Sequence, residues 1–502
     1  MNREMLKNTG LDPLIPLAHP FSMGEFLEKV YSLLESSPDA DQDEKHMWQL
    51  ALVWGAWKGQ QGAFAAAHFP ECLDTGWQEA YSLLSAVVPY GREELPDNEL
   101  LREVAGFDEM IEKEMKANLP ALPPKQLAEE LEGAPRFCMY LYALLNVGDD
   151  LFAHILFRRY PEIVFGMPVS PSYSQCFKDF PNVIPVSFGE NVWAAGYPVD
   201  LDYDSFDGYI SIGGSVFPDW IIYKYYLDRT VSGNFFDRGK KVFYVGSNAD
   251  RNYTNPLWNI DTYNEFFSKH RDQADICLRD EYSYKLFEPS GCARQEPDIV
   301  FGLVNEYAGK EEMKDRRGLG ISIIETRTRS DLSRHHDMYM SGLVSVIREA
   351  FRREIPVTVF SFCKFEGDED AADELISMLS EEERAKVNCV LYNGDLDGFL
   401  RTYSSMKYIV STRFHATILA LKFRQKVFPV IYGDKIQSLL ADLGGFGPDS
   451  SYDLRTDASW DANQVWSSLE EERNLEEKLT EWEEAARRQF LKLDEYIKGL
   501  RP

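Results

Sequence analysis

The chain has 502 residues, 44% of them hydrophobic, and its 82 acidic against 53 basic side chains give a net charge of −29. That length supplies two or three globular domains, while the charge excludes nonspecific nucleic-acid or anionic-membrane binding, so an anionic substrate needs a locally basic pocket. No apolar run reaches the roughly 18 to 20 residues of a membrane span, and the start MNREMLKNTG lacks a signal peptide's apolar core, so a cytoplasmic protein is expected.

Residues 1–134 read as a helical accessory domain, with amphipathic helices expected over 24–34, 44–58, 75–88 and 98–118 and a proline-rich joint at 120–124. The second helix is dense in tryptophan (Trp48, Trp54, Trp57), and His46 and His68 have no partners at ligand spacing. Acceptor recognition, an oligomer contact and partner binding are all open for this region.

From 135 to 312 the pattern changes to strand and helix in alternation. A continuous apolar run over 136–145 predicts a buried parallel strand, followed by Asn146-Val-Gly-Asp-Asp150 and a helix over 151–160. Gly148 permits a tight turn there, and Asp149 or Asp150 can cap the helix. Further strands are expected at 182–188, at 208–212 ending in Gly213-Gly214-Ser215, at 240–245, and at 274–278 ending in Arg279-Asp280. The alternation predicts a doubly wound parallel sheet, which binds ligands beyond its strands' carboxyl ends.

Residues 313–456 repeat the scheme, with strands at 318–324, 355–361, 389–392 and 407–411 and a helix over 338–352. Asp368 and Asp370, in the acidic loop at 365–371, suit a helix start, and His335-His336-Asp337 reads as a solvated helix start because consecutive side chains diverge. The most informative stretch is Thr412-Arg413-Phe414-His415, between the strand at 407–411 and a helix over 416–422, after which a further apolar strand precedes the Y-x-x-K element. A helix N-terminus with a guanidinium and an imidazole beside it makes an anion pocket containing a titratable group. The plain alternative is that Arg413 pairs with a structural carboxylate and His415 merely packs. Residues 457–502 are expected to form a C-terminal helix over 460–500, whose apolar stripe packs back on the first half. The seven cysteines (Cys72, Cys138, Cys176, Cys277, Cys292, Cys363, Cys389) are scattered singly, which predicts reduced thiols and neither a metal site nor a disulfide framework.

Five short motifs occur in order between residues 136 and 445: N-V-G-D, S-I-G-G-S, L-R-D-x-x-S, S-T-R-F-H-A and Y-x-x-K-x-x-x-L-L-x-D-L-G. As an ordered set they resemble the polysaccharide pyruvyl transferase family. The resemblance implies a GT-B-like arrangement of two Rossmann-like doubly wound domains facing a cleft, here with the N-terminal helical domain and C-terminal helix added. It implies transfer of the carboxyvinyl group of phosphoenolpyruvate to a sugar of a cell-surface or exopolysaccharide precursor, giving a pyruvate ketal and phosphate. Phosphoenolpyruvate is then a co-substrate, and no cofactor or metal is called for. His415, with an unperturbed pKa of about 6.5, becomes the proton donor, and Asp149 either accepts a proton from the sugar hydroxyl or steadies the cation. Arg279 and Arg413 hold the donor's charge from opposite domains, with Lys435 as a further phosphate ligand and Asn146, Gly213, Gly214 and Ser215 lining the cleft. The S-I-G-G-S turn is one glycine shorter than the family's common form. Competing readings are a GT-B glycosyltransferase using a nucleotide sugar and a glycan-binding relative without catalysis; the acceptor sugar, ketal regiochemistry and a homo-oligomeric state are open.

Overall fold

The computed structural model describes residues 3–17, 23–58, 61–85, 95–117, 127–141, 145–169, 177, 179–187, 202–217, 231–249, 260–304, 315–329, 331–456 and 460–500. The expected joint at 120–124, Cys176 and the domain boundaries at 312 and 457 lie outside these residues.

The N-terminal helices close around a core of their own. The helix Gln42–Lys58 is its axle: every residue from Met47 to Lys58 is buried, so this helix is apolar on all sides where an amphipathic one was expected. Its polar groups are satisfied from the helix Glu99–Ala117, where Asp108 accepts from Trp54 Nε1 at 2.8 Å and from Lys58 Nζ at 2.6 Å. Two further helices, Arg3–Asn8 and Gly62–Cys72, were not anticipated.

Seven parallel strands form the first sheet: β1 (Arg136–Tyr140), β2 (Val164–Val169), β3 (Val183–Ser187), β4 (Gly208–Phe217), β5 (Lys241–Ala249), β6 (Ala274–Leu278) and β7 (Ala293–Gln295), in the order β3-β2-β1-β4-β5-β6-β7. Six make the second: β8 (Leu319–Ile323), β9 (Val357–Ser361), β10 (Val387–Leu391), β11 (Tyr408–Ser411), β12 (Lys426–Ile431) and β13 (Tyr452–Asp453), in the order β10-β9-β8-β11-β12-β13. Both orders reverse direction next to their first strand, between β1 and β4 and between β8 and β11. Helices leave to opposite faces at such a point and open a crevice at the carboxyl edge. The two switch points face each other, giving two Rossmann-like sheets in a GT-B-like arrangement. Strands β8, β9 and β11 are buried at every residue, which is why they read as unbroken apolar runs.

The helices that matter for the cleft are α1 (Val147–Arg159) and α2 (Glu281–Phe287) in the first unit, and α3 (Asp368–Ser377), α4 (Phe414–Lys422) and α5 (Asp434–Leu443) in the second. The tail is three helices rather than one: α6 (Ala462–Glu470), α7 (Glu476–Ala486) and α8 (Leu491–Leu500). Trp466 of α6 is buried against Tyr408 of the second sheet, with ring centroids 5.3 Å apart. The chain then crosses to the first unit, where Gln489 Oε1 accepts from the Gly246 N–H at 2.9 Å, Asp494 accepts from Tyr160 at 2.6 Å and Tyr496 donates to the Asp207 carbonyl at 3.0 Å. A break between α6 and α7 is what lets one tail serve both units.

Candidate active site

The first wall of the cleft follows from how α1 begins. Asn146 caps the helix, its side chain accepting from the Gly148 N–H at 3.0 Å, so neither aspartate is the cap as the sequence had suggested. Both fall in the first turn, where the helix dipole favours a carboxylate. Asp149 faces the cleft. Asp150 turns away into the contact between units, fully buried, and accepts from Tyr392 at 2.6 Å; burial, reinforced by the charge of Asp149, pushes its carboxyl up to about 7 against that hydrogen bond. Two backbone contacts fix this helix start to the second unit: Val147 N–H donates to the Phe362 carbonyl at 3.0 Å, and Asn146 pairs with Cys363.

Strand β4 continues through its glycines where it was expected to stop. Gly213 and Gly214 both have positive φ (77° and 75°), and a Cβ at Gly213 would meet the Phe152 ring at 2.0 Å, so only glycine fits. Ser215, beyond them, accepts from Asn248 at 3.0 Å. At the end of β6, Arg279 is nine-tenths buried and held from behind: Nη1 donates to Asp298 at 2.9 Å and Nη2 to Asn248, while the guanidinium lies 4.4 Å from the centre of the Phe414 ring. Asp280 caps α2 by accepting from the Ser283 N–H at 2.8 Å.

From the second unit, Arg413 is the N-cap residue of α4. It is not a free anion ligand. Its Nε and Nη2 form a fork onto Asp368, which is fully buried, and Nη1 meets Glu366. Asp368 also accepts from the Phe362 and Cys363 N–H groups at 3.1 and 3.0 Å, so the pair builds the loop rather than a ligand site. The structural alternative therefore applies to Arg413. Glu366 takes a second guanidinium, from Arg329 at 2.7 Å; despite burial, Arg413 and Arg329 hold its carboxyl well below the usual range. Lys435 differs. It lies 5.7 Å from the Phe414 ring and 5.4 Å from the Tyr432 ring and forms no ion pair with a described carboxylate.

His415 sits where the two helix starts meet. A Cβ on Gly148 would lie 1.7 Å from its Nδ1, and the ring stands edge-on to Phe152 at 4.9 Å. Its Nε2 is buried with no hydrogen-bond partner among the described residues and faces Asp298 Oδ2 at 3.9 Å. Burial, then the charges of Arg279, Lys435 and Arg413, push its pKa well below 6.5. The imidazole is therefore held toward its neutral form, where the sequence had suggested an unperturbed one.

All nine residues singled out in the sequence line one cavity of about 130 Å³ between the two sheets. Glu366, Phe414, Tyr432 and Tyr140 line it too and were not singled out. The signal for Glu366 was its place: the loop after β9 ends at the same carboxyl edge as the other motifs. His335 and His336 are buried rather than solvated, His336 bonding Thr326 at 2.8 Å and Glu374 at 3.0 Å. Among the described residues no group of three His, Cys, Asp or Glu side chains is placed to hold a metal, and no helix is long and apolar enough to cross a membrane.

Residues 146–434 match the family model described as polysaccharide pyruvyl transferase. No curated protein matches the chain. Among solved structures, a putative UDP-N-acetylglucosamine 2-epimerase from Listeria monocytogenes is similar at 9% identity and a TM-score of 0.46, covering 74% of this chain and 99% of its own. The ADP-heptose LPS heptosyltransferase II of E. coli shows 12% identity and a TM-score of 0.38 over 70% of this chain and all of its own. MurG of Acinetobacter baumannii shows 13% and 0.39, with 73% and 100% covered. The substrates of these proteins say nothing about those of this chain.

Proposed function

Since this chain belongs to the polysaccharide pyruvyl transferase family and is thus a transferase, we propose that it moves the carboxyvinyl group of phosphoenolpyruvate onto a sugar of a cell-surface or exopolysaccharide precursor as a pyruvate ketal. The observation that carries this reading is the meeting of an ammonium that forms no ion pair with a described carboxylate, an imidazole and a carboxylate, Lys435, His415 and Asp149, in one cavity between the two sheets.

Lys435 takes the role first given to Arg413. It lines the cavity and forms no ion pair with a described carboxylate, so its ammonium is placed to meet the donor's phosphate or carboxylate. Arg279 adds a positive field from the opposite wall. Burial, and then the charges of Arg279, Lys435 and Arg413, keep His415 neutral; bound phosphoenolpyruvate adds negative charge that opposes those cations and so draws a proton onto the imidazole. The imidazolium then gives that proton to the methylene carbon, and positive charge develops on the carbon bearing the phosphate ester. One sugar hydroxyl attacks this carbon and passes its proton to Asp149; the carbon–oxygen bond to phosphate breaks; a second hydroxyl of the same sugar closes the ketal. Of the two hydroxyl protons, one restores the balance for the new methyl group and the other leaves with phosphate. The six described cysteines are free thiols, in keeping with a reducing compartment.

The test is acceptor-dependent release of phosphate from phosphoenolpyruvate by the purified protein, across a panel of neutral glycan and glycan-lipid acceptors. His415→Ala should lower the rate by about 10²- to 10⁴-fold while the far-ultraviolet circular dichroism is unchanged. Turnover by that variant at the wild-type rate removes His415 from the chemistry.

A further inference from the structure

A neutral imidazole has one N–H, and which nitrogen carries it decides which can exchange a proton with substrate. Among the described residues of the second unit, none hydrogen-bonds Nε2 of His415 to fix this. The first unit supplies the group that can: Asp298, on the short 3₁₀ turn after β7, is 3% exposed. Its Oδ1 is fixed by the Val300 N–H at 2.9 Å, and its Oδ2 accepts from Arg279 at 2.9 Å and faces His415 Nε2 at 3.9 Å. Burial raises the Asp298 carboxyl, but two donors already point at its oxygens and favour the ionised form. A carboxylate has no proton to offer, so a lone pair on Nε2 would face a second lone pair, whereas an N–H there has an acceptor. The buried Nε2 without a partner and the carboxylate in front of it are two halves of one hydrogen bond.

We infer that Asp298 is the positioning residue of His415: reaching across the cleft, it holds the hydrogen on Nε2 and leaves Nδ1 as the nitrogen that takes up and delivers the catalytic proton. About 1 Å of further approach brings the pair to hydrogen-bond length. The charged groups around the imidazole are Arg279 from the first wall and Lys435 and Arg413 from the second, all cationic, and Asp298 is the described carboxylate within 4.0 Å of it. When the imidazolium forms, this carboxylate stabilises it. The same carboxylate orients Arg279, so the donor site and the proton donor share one anchor.

The inference deepens the pyruvyl-transfer reading, yet its first test does not require turnover. In the full chain labelled with ¹⁵N-histidine, with His415 assigned by the loss of its signals in His415→Gln, long-range ¹H–¹⁵N spectra at pH 7.5 should show a neutral ring protonated on Nε2. A ring protonated on Nδ1 overturns the assignment, and this wild-type result decides even where a variant fails to fold. Asp298→Asn should convert the spectrum to mixed tautomers and lower kcat for phosphate release on the order of 10²-fold. A variant with the wild-type tautomer, or with unchanged kcat, overturns it as well. If the Nε2–H tautomer is found but no acceptor supports phosphate release, the positioning assignment stands and pyruvyl transfer falls.

Discussion

Lys435 and Arg413 line the same cavity with the same charge, and their neighbours give them different work. Lys435→Met should weaken phosphoenolpyruvate binding by about 1.5–3 kcal/mol, the range for hydrogen bonds to charged groups, with no loss of folding stability. Arg413→Ala should behave in the opposite way. It leaves Asp368, fully buried, without its cation, and a broken buried pair costs about 3–5 kcal/mol of stability. Calorimetric titration and urea unfolding on the two variants separate the roles; an Arg413 variant of wild-type stability with weakened binding would return that arginine to the ligand. The residue types were legible in the sequence because the proposed chemistry calls for them: an imidazole, a carboxylate and cations at strand-to-helix turns. Their pairing was not. Asp368 and Arg413 are 45 positions apart, and no local pattern states that the fork of one fits the other. The protonation of His415 was equally hidden, since its burial comes from Gly148 and Phe152 in the other unit.

At the scale of elements, α1 carries most of the coupling between the two halves. Gly148 lies inside a helix, where alanine is favoured by about 1 kcal/mol, yet a Cβ there would sit 1.7 Å from His415 Nδ1. Gly148→Ala should therefore keep the fold and lose turnover, read as phosphate release beside a thermal melt; wild-type turnover would mean that the two helix starts do not abut. One turn position away, Asp150 makes stability depend on pH. Its carboxyl titrates near 7 in the folded protein against an ordinary value of 3.8, so between these values the folded state binds more protons and this group's contribution to stability falls as pH rises. Asp150→Asn keeps an acceptor for Tyr392 and removes the titration. Urea midpoints should show the variant gaining on the wild type from pH 5 to pH 8, by roughly 1 kcal/mol or more, and a constant difference would refute the assignment. Most of the buried strands were legible as largely apolar runs. Missing from the sequence reading were β2, whose VFGMPV carries glycine and proline, and β7 and β13, of three and two residues. The apolar stripe of the tail likewise ran on through its breaks, because packing on two different units, not periodicity, is what interrupts it.

In the whole molecule, neither sheet holds a complete site. The first brings Asp149, Arg279 and the β4 glycines, the second brings His415, Lys435 and Glu366, and the tail ties both together through Trp466 on one side and Gln489 on the other. The ordered motifs announced this organisation, since each ends a strand at the same edge of its sheet. What they left unstated was how closely the edges meet, which the backbone contact between Val147 and Phe362 now defines. Under the proposed function, the small anionic donor lies in this cavity and the larger acceptor approaches from outside it. The most direct measurement is a crystal structure of the protein soaked with phosphoenolpyruvate. The account predicts density for the three-carbon donor in the cavity, its anionic groups on Lys435 and its methylene carbon turned toward His415 at about 4 Å or less. A donor bound away from His415, or a cavity that stays empty of it and instead takes a nucleoside diphosphate, would contradict the account.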